Sequence, residues 1–251
     1  MILGEREEEL EKIKRYIIEL TPVMFYRTND LIHIKRVVGH FEQIIPKIKD
    51  VYGNNFNYEF ARAAAEVHDD PEIITTDIPL YEKELMNKEK RERLSLEEDK
   101  AIENLVERYG LFFKGYSYKE LLYSTKNKDR LETQFISFCD KFDGAGEAWH
   151  EIWAGNEFFV LPAGGKDAKT GGYIRRLKEF SEKYPKMVAF FEEFPEYSVD
   201  EFNFELIPYK NKPHTIKSLK KNSGFLLYEL WKKSVIKTEG TKNLVTQLEF
   251  Y

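Results

Sequence analysis

The sequence predicts an all-α protein, because stretches with the 3.6-residue period of an amphipathic helix recur along most of the chain. The first stretch spans residues 5–20, has acidic residues in its first turn and places on one stripe Leu10, Ile13, Ile17 and Leu20. A longer apolar face follows within residues 33–48. Residues 202–208 alternate for a few positions and predict one short strand. We therefore expect a helical bundle with a mainly helical C-terminal extension.

Helix boundaries follow from capping and breaking residues. Asn29 or Asp30 is a candidate N-cap for the helix that contains residues 33–48. The run Ser95-Leu-Glu-Glu98 fits a capping box that opens a helix to Tyr109. The helical stretches that follow are residues 118–123, 130–153, 173–184, 187–197 and 225–236.

The chain changes character at Gly155, where loop signals replace the long preceding helix. We therefore divide it into a domain of residues 1–155 and a C-terminal extension of residues 156–251. The sequence gives no specific role for the extension.

Composition and charge limit the functions open to the chain. A hydrophobic fraction of 42% can build a core, and a net charge of -5 provides no global basic field for binding nucleic acid. No apolar run reaches the roughly 18 residues of a membrane span, and the acidic start is unlike a signal peptide. The single Cys139 is compatible with a reducing compartment. We expect a cytoplasmic protein that binds neither a membrane nor, stably, nucleic acid.

The stretch before Pro71 holds the strongest candidate site. One helical face of this stretch consists of Ala61, Ala64, Ala65 and His68. Pro71 discourages the α conformation at Asp70, so the helix should end just past His68 and Asp69. That ending places an imidazole and a carboxylate side by side, and the small alanines allow neighbouring helices to come close.

Four residues form a candidate ligand set for one divalent ion: His33, His68, Asp69 and Asp140. Two imidazoles and two carboxylates suit an octahedral first-row ion with open positions for water and substrate. His40 shares the face of His33 but lies about 10 Å further along the helix axis, too far to bind the same ion. We expect His40 to be hydrogen-bonded and structural. Asp70 is outside the set, and we expect it at the surface or behind the ligands.

At these residues the chain resembles the HD-domain metal-dependent phosphohydrolases, whose pattern is H…HD…D. The run from His68 to Pro79, followed by Lys83 and by Lys100-Ala-Ile-Glu103, is similar to the bacterial 5'-deoxynucleotidase branch. The step of 35 residues from His33 to His68 is also typical of that branch. The resemblance covers about residues 10–155. It implies an HD-domain helical bundle, a divalent ion such as Mn²⁺ or Co²⁺, a nucleotide substrate and a homodimer.

The resemblance also implies roles for two acidic residues. Glu72 lies four residues after His68, where it could orient or deprotonate an attacking water, and the corresponding residue of the family is the catalytic carboxylate. Asp77 matches the aspartate that contacts the sugar. We therefore predict Glu72 as catalytic and Asp77 as substrate-binding.

Two basic residues are candidates for the phosphate group. Lys141 follows Asp140 directly and could meet a phosphate oxygen. The family usually has an Arg-Trp pair ahead of the first ligand histidine, and this chain departs from that pattern. Arg27, six residues before His33, is the candidate replacement. The departure leaves the choice between deoxyribose and ribose open, as well as the preference for a monophosphate.

The favoured function is a metal-dependent phosphohydrolase that removes phosphate from (deoxy)nucleoside 5'-monophosphates. A deoxynucleoside triphosphohydrolase of the HD class uses the same H…HD…D pattern and stays open as an alternative. A third reading is a non-catalytic metal-binding regulatory module with residues 156–251 as its partner surface.

Overall fold

A computed structural model describes residues 3–15, 28–78, 80–153, 172–198 and 223–239. The helices of these ranges are α1 (Leu3–Lys12), α2 (Asp30–Tyr52), α3 (Tyr58–Val67), α4 (Glu72–Thr75), α5 (Leu80–Leu85), α6 (Lys88–Tyr109), α7 (Tyr118–Asn127), α8 (Leu131–Trp153), α9 (Gly172–Lys178), α10 (Phe180–Lys183), α11 (Val188–Glu193) and α12 (Ser223–Glu239). Two short strands, β1 (Phe112–Phe113) and β2 (Tyr116–Ser117), pair as an antiparallel hairpin. The predicted all-α class is confirmed.

The centre of the fold is formed by α2, α3 and α8, which pack against one another. The apolar stripe of α2 is buried, as its period predicts, with Phe41 and Ile48 fully inaccessible to solvent. Burial of one such side chain contributes about 1.5–3 kcal/mol. Ala61 and Ala65 of α3 are also fully buried in this cluster, and their small side chains let α2 and α8 approach closely. The three helices that meet here carry the predicted ligands.

Helices α9 to α12 pack on the same core rather than forming one of their own. Phe180, Phe190 and Trp231 belong to the hydrophobic cluster that contains the α2 and α8 side chains. Helix α12 contacts both α2 and α8. The division at residue 155 falls between described ranges and stays a prediction.

Helix α1 is attached to the end of α3 by a buried ion pair. The Arg6 guanidinium donates to Asp70 at 2.6 Å, and the Tyr118 hydroxyl donates to the same carboxylate at 2.5 Å. Asp70 is fully buried, so the surface position considered for it is wrong. The reason is that Arg6 and Tyr118 together satisfy a carboxylate that could not otherwise be buried. This carboxylate fixes the turn that follows the ligand pair.

Several boundaries differ from those predicted. Helix α1 ends at Lys12 instead of residue 20, because the chain leaves the helix to pair Lys14 with Asn29. The capping box at Ser95 is wrong, since α6 already begins at Lys88 with the Asn87 side chain as its N-cap. Residues 187–197, predicted as one helix, form α11 between two 3₁₀ turns.

Other boundaries follow the sequence closely. The Asn29 side chain caps α2 by accepting from the Ile32 amide at 3.0 Å, and α8 begins at Leu131, as predicted within a residue. Helix α3 ends at Val67 with His68 as its C-cap, two residues before Asp69, just past which the end was predicted. The predicted strand at residues 202–208 lies outside the described residues. Within the described ranges, no helix has the length and apolar composition needed to cross a membrane.

We predict that Gly146→Ala destabilises the protein by about 1–3 kcal/mol, the usual cost of overpacking a core contact. A Cβ at this position of α8 would lie 2.1 Å from Cγ of Trp231 on α12. Gly4→Ala is the control, because its Cβ meets nothing within 4 Å and the change should raise stability by up to about 1 kcal/mol. Urea unfolding followed by circular dichroism measures both variants. Unchanged stability of Gly146→Ala would contradict the close packing of α12 on α8.

Candidate metal centre and active site

The four predicted ligands meet where α2, α3 and α8 converge. His33 Nε2 lies 3.2 Å from Asp69 Oδ2 and 3.4 Å from Asp140 Oδ1. His68 Nε2 lies 3.3 Å from the same oxygen of Asp69. Ligand atoms of His33, His68 and Asp140 all lie within 4.8 Å of one another. The structure thus brings together residues as far apart in the chain as His33 and Asp140, which are separated by 107 positions.

Hydrogen bonds fix the tautomer of both imidazoles. His68 Nδ1 lies 2.8 Å from the Ala65 carbonyl oxygen, and His33 Nδ1 lies 2.7 Å from Asp143 Oδ2. Because a carbonyl or a carboxylate oxygen can only accept, each Nδ1 donates, and in the neutral form of each ring Nε2 then carries the lone pair that can bind a metal. Both Nε2 atoms are buried and have no hydrogen-bond partner.

This arrangement fits a divalent cation. The Nε2 lone pairs of two neutral imidazoles and the oxygens of two carboxylates are all centres of negative charge. They repel one another unless a positive charge lies between them. Burial and Arg15 lower the pKa of His33, but Asp140, Asp143 and Asp69 outweigh them and raise it well above its ordinary value. The site therefore stabilises positive charge at Nε2, which a divalent ion supplies together with the preferred N and O ligand types. Outer hydrogen bonds of this kind orient metal-binding histidines.

A pocket opens beside these ligands and is lined by charges of both signs. The acidic side chains of the lining include Glu72 and Asp77, and the lysines are Lys83, Lys126, Lys128 and Lys141. A pocket with a ligand cluster and several cations is suited to a small phosphorylated molecule.

Glu72, the predicted catalytic carboxylate, lines the pocket at the edge of the ligand cluster. Its Oε2 is buried without a hydrogen-bond partner, and its Oε1 lies 3.9 Å from the Lys83 ammonium. Burial, with Asp69 and Asp77 adding to it, raises the pKa of Glu72 well above its ordinary value. A raised pKa is the property that lets a carboxylate accept a proton from water near neutral pH. Glu72 also lies within 4.8 Å of Asp30 and Asp77 through their carboxylate oxygens.

The other predicted substrate contacts have different outcomes. Asp77 lines the pocket beside Glu72. Lys141 also lines it, but its ammonium contacts the Asp140 carboxylate. Burial alone would raise the pKa of Asp140, and Lys141 with His33 lowers it instead. Arg27 lies outside the described residues, so its predicted phosphate contact stays a prediction.

A buried carboxylate behind the ligands was missed by the sequence analysis. Asp143 accepts from His33, from Arg36 Nε at 2.9 Å and from His40 Nε2 at 2.9 Å. His40 is therefore hydrogen-bonded and outside the ligand cluster, as expected. The available signal was the position of Asp143 three residues after Asp140, which places both on the same side of α8.

The network around Asp143 extends over two more ion pairs. Arg36 contacts Glu147, and Arg15 Nε donates to the same glutamate at 3.3 Å. Burial acts to raise the pKa of Asp143, but Arg36, His33 and His40 hold it well below its ordinary value. The charges behind the ligands are therefore balanced within the protein, whereas those at the two Nε2 atoms are not.

The fold and the cluster together define the class of protein: an all-α HD-type domain whose histidines and aspartates lie on α2 and α8 and directly after the end of α3. A family model described as 5'-deoxynucleotidase YfbR-like matches residues 10–196. The match covers more than half of the chain, which belongs to this family of phosphohydrolases. It ends before α12 begins.

The comparison with solved structures supports the fold. A conserved hypothetical protein from Pyrococcus furiosus is 23% identical, with a TM-score of 0.52 over 78% of this chain and 96% of its own. No curated protein matches the sequence.

We predict that the purified chain binds a divalent ion and that His68→Ala removes this binding, because His68 supplies one of the two free Nε2 atoms. Dialysis against Mn²⁺ or Co²⁺ followed by elemental analysis measures the bound ion. Glu107→Gln, an exposed change on α6, is the control and should keep the metal content of the wild type. Equal metal content in His68→Ala and wild type would contradict this ligand.

Proposed function

We propose that this chain is a metal-dependent phosphohydrolase that removes phosphate from (deoxy)nucleoside 5'-monophosphates. The observation that carries the proposal is the pair of buried Nε2 atoms without a hydrogen-bond partner that face Asp69 and Asp140, with Glu72 beside them in an open pocket. Membership of the 5'-deoxynucleotidase YfbR-like family supports the reaction class and the nucleotide substrate. We also propose that the protein is a homodimer and is located in the cytoplasm, as the sequence analysis predicted.

The metal would be held by His33, His68, Asp69 and Asp140. When bound, a divalent ion such as Mn²⁺ or Co²⁺ would neutralise negative charge on the phosphoryl group and lower the pKa of a water molecule. The remaining requirements fall to the side chains around the pocket.

Glu72 is the proposed proton acceptor. Its unpartnered Oε2 is free to receive a hydrogen bond from an attacking water, and its raised pKa allows it to take up the proton. Lys83, 3.9 Å from the other oxygen, orients the carboxylate by charge attraction. The same proton can then pass to the leaving oxygen of the nucleoside, because a general base becomes a general acid in the following step.

Three lysines of the pocket are proposed to attract the phosphate group. Lys83 lies beside Glu72, and Lys128 and Lys141 line the same pocket. Burial, with the nearby charge of Lys141, lowers the pKa of Lys128 to about 8, so a bound anion would stabilise its charged form. Phosphate oxygens and lysine ammonium groups are a common pairing.

Asp77 is proposed to contact the sugar, and Leu94 to contact the base. Asp77 lies next to Glu72 in the lining of the pocket. Leu94 lines the same pocket and is partly exposed, so its side chain can meet a planar base. The preference among bases depends on contacts that an apolar side chain does not specify.

We predict that Glu72→Gln lowers kcat for phosphate release from deoxynucleoside monophosphates by about 10²–10⁴, the usual contribution of a general base. The amide keeps the shape of the side chain but cannot accept the proton. Inorganic phosphate release with added Mn²⁺ or Co²⁺ measures the effect, and metal content shows that the site is intact. Glu107→Gln is the matched control, and activity of Glu72→Gln equal to that control would contradict the assignment.

A substrate panel separates the proposed reaction from its alternatives. Release of inorganic phosphate from monophosphates is expected. Release of triphosphate from deoxynucleoside triphosphates would assign the chain to the triphosphohydrolases. A chain that holds its metal but acts on no nucleotide would favour the non-catalytic regulatory module.

We predict that Asp77→Asn reduces discrimination between deoxynucleoside and nucleoside monophosphates by about 10-fold, which corresponds to the roughly 1–1.5 kcal/mol of one hydrogen bond. The kcat/KM ratio for the two sugars with the same base measures the change. A ratio that stays at the wild-type value would remove Asp77 from sugar recognition while leaving the phosphatase reaction itself unaffected.

A further inference from the structure

We propose that Trp231 of α12 is a positioning residue for the metal centre, which it supports through Asp143 and His33. The inference rests on the proposed metal site. Trp231 lies beyond residue 196, where the match to the family ends. The C-terminal extension would then be a part of the active-site support that the family model does not include.

A continuous chain of hydrogen bonds joins the indole to the ligand cluster. Trp231 Nε1 donates to Asp143 Oδ1 at 2.8 Å. The other oxygen of the carboxylate, Oδ2, accepts from His33 Nδ1 at 2.7 Å. On the far side of the His33 ring, Nε2 faces Asp69 and Asp140. Two hydrogen bonds therefore separate α12 from a ligand atom.

The carboxylate in the middle of this chain is held from several directions. Besides Trp231 and His33, it accepts from His40 at 2.9 Å and from Arg36 at 2.9 Å. A carboxylate has about four acceptor positions, so these donors fix its rotation. Loss of the Trp231 donor leaves Oδ1 with His40 and Arg36 and removes the restraint from the α12 side. The carboxylate can then shift toward α2, and the orientation of the His33 ring, which depends on Oδ2, shifts with it.

The surroundings of Trp231 favour one position of its ring. The side chain is fully buried, and its ring centre lies 5.7 Å from those of both His150 and Tyr228. Gly146 leaves room for the indole, because a Cβ there would lie 2.1 Å from Cγ of Trp231. An apolar ring could fill this space as well, yet the residue present is one that carries a donor aimed at Asp143.

A role in packing alone is the simpler explanation for a tryptophan at position 231. Two substitutions on α12 distinguish this packing role from a role in positioning His33. Trp231→Phe keeps an aromatic ring but removes the N–H. Tyr228→Phe is the matched control, because it removes a buried hydroxyl that lies 2.9 Å from His150 Nδ1 and keeps the indole N–H of Trp231. Both changes loosen α12, and only the first alters the support of His33.

The test measures metal binding by the full-length protein, with Co²⁺ as the probe. We expect Trp231→Phe to raise the Kd for Co²⁺ by about 10-fold, the lower end of the effect of changing outer hydrogen bonds, and to alter the visible absorption spectrum of the bound ion. Tyr228→Phe should keep the wild-type Kd and spectrum. The Tm of each metal-free variant records the loss of packing separately.

Three results would overturn the inference. One is a wild-type Kd and spectrum in Trp231→Phe, and another is equal weakening in both variants, which would reflect general loosening of α12. If the wild-type chain takes up no Co²⁺, the metal centre fails and this inference fails with it.

A second measurement observes the wild-type chain and leaves Trp231 itself unchanged. The indole N–H of Trp231 is observed by ¹⁵N NMR, assigned by elimination with Trp149→Phe and Trp153→Phe. We expect its signal to shift as Zn²⁺ is added up to saturation, because the ion draws electron density through His33 and Asp143. A signal that stays unchanged at saturation would overturn the link.

Discussion

The structure depends on one buried carboxylate, Asp143, whose charge is shared among donors from two other helices. Arg36 and His33 come from α2, Trp231 comes from α12, and Asp143 itself belongs to α8. A lone buried carboxylate would be costly, so these donors stabilise the packing of the three helices. The same contact orients an imidazole of the ligand cluster. Helix packing and site geometry therefore have a common origin.

Sequence reasoning found the helices and the ligand cluster for a physical reason. The apolar face of α2 and the pair His68-Asp69 depend on local spacing, which the chain displays directly. The network around Asp143 depends on which faces of α2, α8 and α12 meet, and a single sequence does not contain that register. The predicted capping box at Ser95 failed for a different reason. Asn87 supplies an equally good cap earlier in the chain, and the helix begins there.

The end of α3 illustrates how a motif acquires its geometry. His68 and Asp69 stand at a helix end that Pro71 helps to terminate, as the sequence indicated. The direction of the following turn, however, is fixed by Arg6 and Tyr118 through Asp70. These partners lie 64 and 48 residues away in the chain, so the alignment of Glu72 with the ligands depends on long-range contacts.

The balance of charge behind the ligands has a consequence for the order of assembly. Asp143 and Glu147 are compensated by Arg36 and Arg15, all within the protein. The bundle can thus close before any ion arrives, unlike small domains whose folding is driven by a structural metal. The ion enters a finished scaffold, and its removal should leave a folded chain that can be loaded again.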